Sequence, residues 1–154
     1  MIQKALFGAG CFWGVEEHFR NLNGVISTEV GYSGGNTENP SYETVCNENT
    51  NHAEVVLIQY DENIITYEDL LTDFWKCHDP TTLNRQGPDL GTQYRSVIYC
   101  FTEEQKSLAI DSKNLNKSNF NNPIVTEISK AKKFYKAEEY HQKYIQKTGN
   151  YCAI

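Results

Sequence analysis

The spacing of apolar positions changes along the chain, and each change marks an element. Lys4-Ala-Leu-Phe7 is a short apolar run of the buried-strand kind. After it Phe12, Val15, Phe19 and Leu22 recur at helical spacing, with Asn23-Gly24 as a stop. Val25 to Tyr32 reads as a second strand, ended by Ser33-Gly34-Gly35, and His52 to Tyr60 as a third. Between them, residues 33–52 are rich in Gly, Asn, Ser, Thr and Pro and are predicted as one long loop, a length usually kept for function. Thr66-Tyr-Glu-Asp69 resembles a capping box, after which Leu70, Leu71, Phe74 and Trp75 mark one face of a helix ending near Cys77-His78. Residues 79–93 form a second polar loop, and Tyr94 to Phe101 a fourth strand. Thr102-Glu-Glu-Gln105, another capping box, opens a polar helix that ends at Asn121-Asn122-Pro123. Ile124 to Ile128 is a last strand and Ala137 to Lys147 a last helix.

The order strand-helix-strand-strand-helix-strand, with an added helix, strand and helix, predicts an α+β two-layer sandwich with a ferredoxin-like (split βαβ) core. At this length one domain is expected, 1–154, with 148–154 as a mobile tail. Both long loops precede strands of that core, so they are expected to meet the turn around Cys11 at one end of the sheet.

Charge narrows the partners. A net charge of −6 argues against nucleic acid or an anionic membrane. The one basic cluster, Lys130, Lys132, Lys133 and Lys136, is interleaved with Phe134 and Tyr135 and reads as the solvated side of a strand-to-helix junction. No apolar run approaches transmembrane length and the opening residues have no signal-peptide pattern, so a cytoplasmic protein is expected; separately, the chain is expected to be a monomer. Five cysteines (11, 46, 77, 100 and 152) lack any C-x₂₋₄-C spacing, which fits neither a zinc site nor a secreted disulfide framework. No metal or cofactor is expected, and Cys46, Cys77 and Cys100 read as structural, with Cys46 near enough to Tyr42 to serve as a spare thiol.

Candidate chemistry begins at Gly8-Ala-Gly-Cys-Phe-Trp-Gly14. A lone cysteine is more often a buried structural residue. Here the glycines allow a tight turn, and the helix start that follows favours an anion, so Cys11 reads as a thiolate nucleophile in the first helical turn. Phe12 and Trp13 read as an exposed aromatic pair beside it. The loops add two phenols, Tyr42 and Tyr94, and two carboxyls, Glu54 and Asp89; the tail adds a second thiol, Cys152. Glu54 is a carboxyl entering an apolar strand, where an outward-facing residue is the competing reading. An aromatic wall beside a thiolate suits a soft apolar group such as a thioether methyl, while phenols and a carboxylic acid suit a polar oxygen on the same substrate. A second thiol on a tail suits disulfide formation with an oxidised nucleophile. A Cys11–His52 acyl-transfer enzyme and a non-catalytic module that binds such a group stay open at this point.

Nearly the whole chain resembles the A-class peptide methionine sulfoxide reductases. The resemblance is carried by Gly10-Cys-Phe-Trp-Gly14, Tyr32-Ser-Gly-Gly35, Pro40-Ser-Tyr42, His52-Ala-Glu54, His78-Asp-Pro80, Asn84-Arg-Gln-Gly87, Asp89 and Gly91-Thr-Gln-Tyr-Arg-Ser96, with Ala137-Glu-Glu-Tyr-His-Gln142 and Gly149-Asn-Tyr-Cys152 behind them. It implies that Cys11 attacks the sulfoxide sulfur while Phe12 and Trp13 hold the methyl group. Glu54 then protonates the oxygen, Tyr42 and Tyr94 hydrogen-bond to it, and Asp89 orients the substrate or the surroundings of Glu54. Cys152 resolves the Cys11 sulfenic acid as a disulfide, which thioredoxin or a small dithiol reduces. Substrates would be oxidised proteins and free methionine sulfoxide, as the S epimer. The chain carries Glu48 and Asn51 where the family often has glycine, and Lys136 where it often has proline.

Overall fold

The computed structural model describes residues 1–47 and 49–149. In chain order its elements are β1 (Ile2–Ala9), α1 (Phe12–Arg20), β2 (Val25–Ser33), α2 (Tyr42–Asn47), β3 (Ala53–Asp61), α3 (Tyr67–Lys76), β4 (Arg85–Gln86), β5 (Asp89–Leu90), β6 (Ser96–Cys100), α4 (Glu103–Asn116), β7 (Glu127–Lys130), β8 (Tyr135–Lys136) and α5 (Tyr144–Thr148). The main sheet runs β7-β6-β1-β3-β2-β8. Its central four strands, β6-β1-β3-β2, are antiparallel throughout. Strands β1 and β2, joined through α1, thus lie on either side of β3, which is the split βαβ order expected from the sequence. β7 extends the sheet in parallel beside β6, and β8 pairs antiparallel with β2.

Alternation along the strands decides what faces the helices. Phe7 of β1, Val30 and Tyr32 of β2, Val56 and Ile58 of β3 and Ile98 of β6 share one core with Phe12, Val15 and Phe19 of α1 and Leu70, Leu71 and Phe74 of α3. Their neighbours Leu6, Val55, Val97 and Tyr99 point the other way, into a smaller cluster with Ala131 and Phe134. Glu54 has the parity of Val56 and Ile58, so it lies on the helix-covered face. The outward-facing reading of Glu54 is thereby corrected.

The C-terminal third departs from the pattern read in the sequence. The helix expected at Ala137–Lys147 is reduced to α5, preceded by β8 and a 3₁₀ turn at Glu139–His141. Tertiary bonds outcompete helical ones there. The Gln142 side-chain amide continues the pairing along β2, accepting from Val30 N–H at 2.9 Å and donating to the Val30 carbonyl at 3.0 Å, while Ala137 N–H also donates to that carbonyl. The loop predicted over 33–52 contains α2; that over 79–93 contains the β4–β5 hairpin and runs into a 3₁₀ turn at Thr92–Tyr94, so the strand predicted from Tyr94 begins at Ser96. The polar helix stops at Asn116 and the last predicted strand is displaced to Glu127–Lys130. Thr66 and Asp69 form the expected reciprocal capping box. At Thr102 only half of one forms, since the Gln105 carbonyl accepts from Phe101 N–H and its amide donates to the Lys4 carbonyl.

Candidate active site

At the end of β1 the chain turns into α1 through Gly8-Ala-Gly-Cys11. Gly10 has φ +98°, and a Cβ there would stand 2.8 Å from Gln86 Cγ, so the position requires glycine on both counts. The turn makes Cys11 the N-cap residue of α1, one position before the first helical turn where the sequence placed it. Its half-buried thiol stands at the positive end of a nine-residue helix with no acidic residue in its first turn.

Glu54 reaches the same helix start. It is the second residue of β3, opposite Tyr32, is 2% exposed, and its Oε1 accepts from Phe12 N–H at 3.1 Å. One backbone donor left unpaired by the helix geometry is thereby satisfied by a carboxyl group from the sheet. Nucleophile and acid candidates share one helix terminus.

The long loops close over this end of the sheet, as expected. Tyr42, at the start of α2, has its phenol pushed above the ordinary value by burial first, and then by Cys46, Glu54 and Cys11. Tyr94, in the 3₁₀ turn, is raised by burial and then by Glu54, Tyr42, Cys46 and Asp89. Both phenols therefore stay protonated as donors. Asp89 pairs with Gln86 across the β4–β5 hairpin, and burial raises its carboxyl. Cys11, Glu54, Tyr42, Tyr94 and Asp89 are thus brought together from five separate stretches of chain.

The aromatic pair divides. Phe12 is 1% exposed and belongs to the core, with its ring against Tyr32 and His141, so the exposed reading fails for it. Trp13 is half-buried and stacks on Tyr144 at 3.8 Å between ring centroids. Its Nε1–H donates to His141 Nδ1 at 2.9 Å. Burial holds His141 below the ordinary imidazole value, and its Nε2 has no hydrogen-bond partner among the described residues.

His52 does not serve Cys11. Its Nδ1 accepts from Gly35 N–H at 3.0 Å and its Nε2 donates to the Thr37 carbonyl at 2.8 Å, so both ring nitrogens are committed to the loop after β2. This removes the Cys–His acyl-transfer reading. Cys46, read as structural, instead lies among the site groups, against the Tyr42 hydroxyl and the Gln93 side chain. Cys77 keeps a structural place, its thiol pushed up to about 12 by burial. Asn51 adopts the left-handed backbone at φ +60° in the place where the family often has glycine. Cys152 and Glu48 lie outside the described residues.

Three neighbours of the site were missed by sequence reasoning, Glu138, His141 and Tyr144, whereas the nearness of Cys46 to Tyr42 was legible in the chain. Glu138 and His141 fall inside the Ala137–Gln142 segment, whose polar side chains Glu138, Glu139, His141 and Gln142 were legible, but as a helix face rather than as tertiary ligands.

Residues 3–154 match the family model described as peptide methionine sulfoxide reductase. The peptide methionine sulfoxide reductase MsrA of Methanosarcina acetivorans is 57% identical over 150 residues, covering 96% of this chain and 80% of that protein. The crystal structure of reduced Mxr1 from Saccharomyces cerevisiae superposes with a TM-score of 0.92 at 38% identity, covering 99% of this chain and 88% of that one. A structure of Mxr1 in complex with Trx2 has a TM-score of 0.67 at 26% identity, covering 93% and 84%. With a matching family model over almost its full length, and with a cysteine at a helix start facing a buried carboxyl and two phenols, the chain belongs to the A class of the peptide methionine sulfoxide reductases.

Proposed function

We propose that this reductase works through Cys11 as nucleophile and Glu54 as proton donor on methionine S-sulfoxide, free or within proteins. The supporting observation is the hydrogen bond from Phe12 N–H to Glu54 Oε1, which sets a buried carboxyl at the helix start that Cys11 caps. The helix end favours the thiolate, and the thiolate attacks the sulfoxide sulfur. As the S–O bond breaks, the oxygen takes a proton from Glu54, with hydrogen bonds from Tyr42 and Tyr94 stabilising the charge that develops on it. The oxygen passes to Cys11 as a sulfenic acid and methionine leaves. The half-buried Trp13 face, backed by Tyr144, suits the substrate methyl, with Phe12 supporting it from the core. Asp89 orients the substrate from the hairpin side.

Recycling takes place through Cys152, whose thiol condenses with the Cys11 sulfenic acid to give a disulfide and water. Thioredoxin, or a small dithiol in its place, then reduces that disulfide, and the complex formed by the yeast relative supports this partner. No other cofactor is needed. One chain carries the whole described site, so it acts as a monomer, in the cytoplasm. No helix among the described residues is long and apolar enough to cross a membrane.

The test is a stereospecific assay with dithiothreitol. Methionine S-sulfoxide should disappear while the R epimer persists. Cys152→Ser enzyme mixed with one equivalent of substrate should yield a Cys11 sulfenic acid that dimedone traps. Consumption of both epimers at equal rates, or a thioether adduct on another residue, would overturn the assignment.

A further inference from the structure

The helix that carries Tyr42 cannot hold itself in place. α2 is six residues long, far below the length at which an isolated helix is stable, and only Val45 of its residues is buried. Ser41 and Thr44 exchange hydrogen bonds that close its first turn, but these are internal to the helix and anchor it to nothing. Beyond the buried Val45 and the Cys46 contact with Gln93, its polar attachment comes from the other end of the chain. Tyr42 N–H donates to Glu138 Oε2 at 3.0 Å, while the Tyr32 hydroxyl donates to Glu138 Oε1, also at 3.0 Å. Tyr32 is wholly buried and is the β2 residue paired with Glu54 across the sheet. One carboxylate therefore ties the helix start bearing Tyr42 to the strand position beside Glu54. His141, three residues further on, completes the seat with its ring 4.7 Å from that of Tyr42.

We infer that Glu138 is a positioning residue for the reduction, fixing through these two hydrogen bonds where the Tyr42 hydroxyl stands relative to Glu54. Desolvation by itself would raise the Glu138 carboxyl, but the amides of Tyr42 and of its own backbone and the Tyr32 phenol together hold it below the ordinary carboxylate range. It is therefore fully ionised and a strong acceptor at neutral pH. Tyr32 and Tyr42 present only donors to it, which a carboxylate with two acceptor oxygens meets without a proton of its own. The inference rests on the assignment of Tyr42 as a hydrogen-bond donor to the sulfoxide oxygen.

The experiment is single-turnover methionine release from N-acetyl-methionine S-sulfoxide amide, read as rate and half-saturating concentration. Tyr42→Phe should slow release about tenfold, the worth of one lost hydrogen bond to developing charge. Glu138→Ala should also slow it about tenfold, with half-saturation little changed. Added to Tyr42→Phe, it should cost less than about twofold, because both changes remove the same contact. Glu138→Gln should recover most of the rate, its carbonyl accepting from Tyr42 N–H and its amide donating to the Tyr32 oxygen. Should Glu138→Ala not fold, Glu138→Asp replaces it, expected to slow wild type but not the Tyr42→Phe enzyme. Equal losses from the Glu138 change in the two backgrounds would overturn the inference while leaving Tyr42 in its role. A Glu138→Gln enzyme as slow as the Ala variant, or a Glu138→Ala enzyme as fast as wild type, would also overturn it. A wild-type rate for Tyr42→Phe would instead overturn the reading of Tyr42 itself.

Discussion

Replacing Glu54 by glutamine separates its chemistry from its place in the fold. Glutamine keeps a carbonyl oxygen at the Oε1 position, so Phe12 N–H retains its acceptor, and the net cost should stay below about 1 kcal/mol. For a domain of this size that is a fall in melting temperature of less than about 4 °C. Leucine keeps the volume but leaves that amide buried and unpaired, costing about 1–3 kcal/mol and about 2–12 °C. The rate should respond the other way round in relative terms. An amide cannot hand over a proton, and losing a positioned general acid costs about 10²–10⁴ in the burst of methionine release, roughly 3–5 kcal/mol of barrier. The pH profile identifies the donor. Burial pushes the Tyr42 and Tyr94 phenols above the ordinary phenol value, so both are expected to remain protonated donors over the range in which the wild-type rate should fall. That fall belongs to the acid that protonates the oxygen, and it should flatten in Glu54→Gln. Rapid-quench measurement of one turnover from pH 5 to pH 10 reads both quantities. Equal rates and parallel profiles for the two enzymes would refute the role of Glu54 and move proton delivery to Tyr42, Tyr94 or solvent.

Cys11→Ser should leave the melting curve in place and remove turnover; residual activity above about one percent, some 3 kcal/mol of barrier, would exclude Cys11 as nucleophile. Cys152→Ser should stall after about one turnover with thioredoxin yet keep working with a small dithiol, and mass spectrometry of oxidised wild type should show Cys11 joined to Cys152; a dominant Cys11–Cys46 bond would displace Cys152 from its role. His78 supplies a pH test of the fold. Burial holds its imidazole down to about 4, against 6.5 for an ordinary histidine, while its ring donates to the Phe74 carbonyl and accepts from Ser96 Oγ. The unfolded chain then binds a proton that the folded one refuses, so this contribution is complete above pH 6.5 and declines as pH falls toward 4. Urea midpoints should report a loss of roughly 2 kcal/mol between pH 7 and pH 4.5 that His78→Gln abolishes; an unchanged slope in the variant would place the acid sensitivity elsewhere.

What could be read in advance was set by local periodicity, and what could not was set by distant partners. The α1 stripe of Phe12, Val15 and Phe19 is where the spacing put it, and the Thr66–Asp69 box is where the residue types put it. The same stripe conceals Glu16, a charged residue only 1% exposed, because its partners Thr28 Oγ and Lys143 N–H lie 12 and 127 residues away. α2 escaped notice since six residues with one buried side chain give no period to detect. The helix expected at Ala137–Lys147 was a fair reading of composition, overruled by Glu138 and Gln142 bonding to β2 and α2. In the site, the nucleophile and acid were visible as residue types, and the motifs of the resembled family named their roles. The aromatic geometry was not visible. Phe12 and Trp13 are neighbours in the chain, yet the helix sends one into the core and the other toward Tyr144.

With Glu54 as the proposed proton donor, its position in β3 makes correct strand registration a condition of catalysis. Glu54 points at α1 only because it shares parity with Val56 and Ile58 and is paired with Tyr32. A slip of a single residue between β2 and β3 would turn it to the face of Leu6 and Val97, away from Cys11. A preparation that has acquired its helices and sheet but with shifted strands would keep an ordinary circular dichroism spectrum and a titratable Cys11 thiol, yet reduce nothing. On that proposal specific activity counts correctly registered molecules, and a refolding yield measured by turnover is a more stringent standard than one measured by secondary structure.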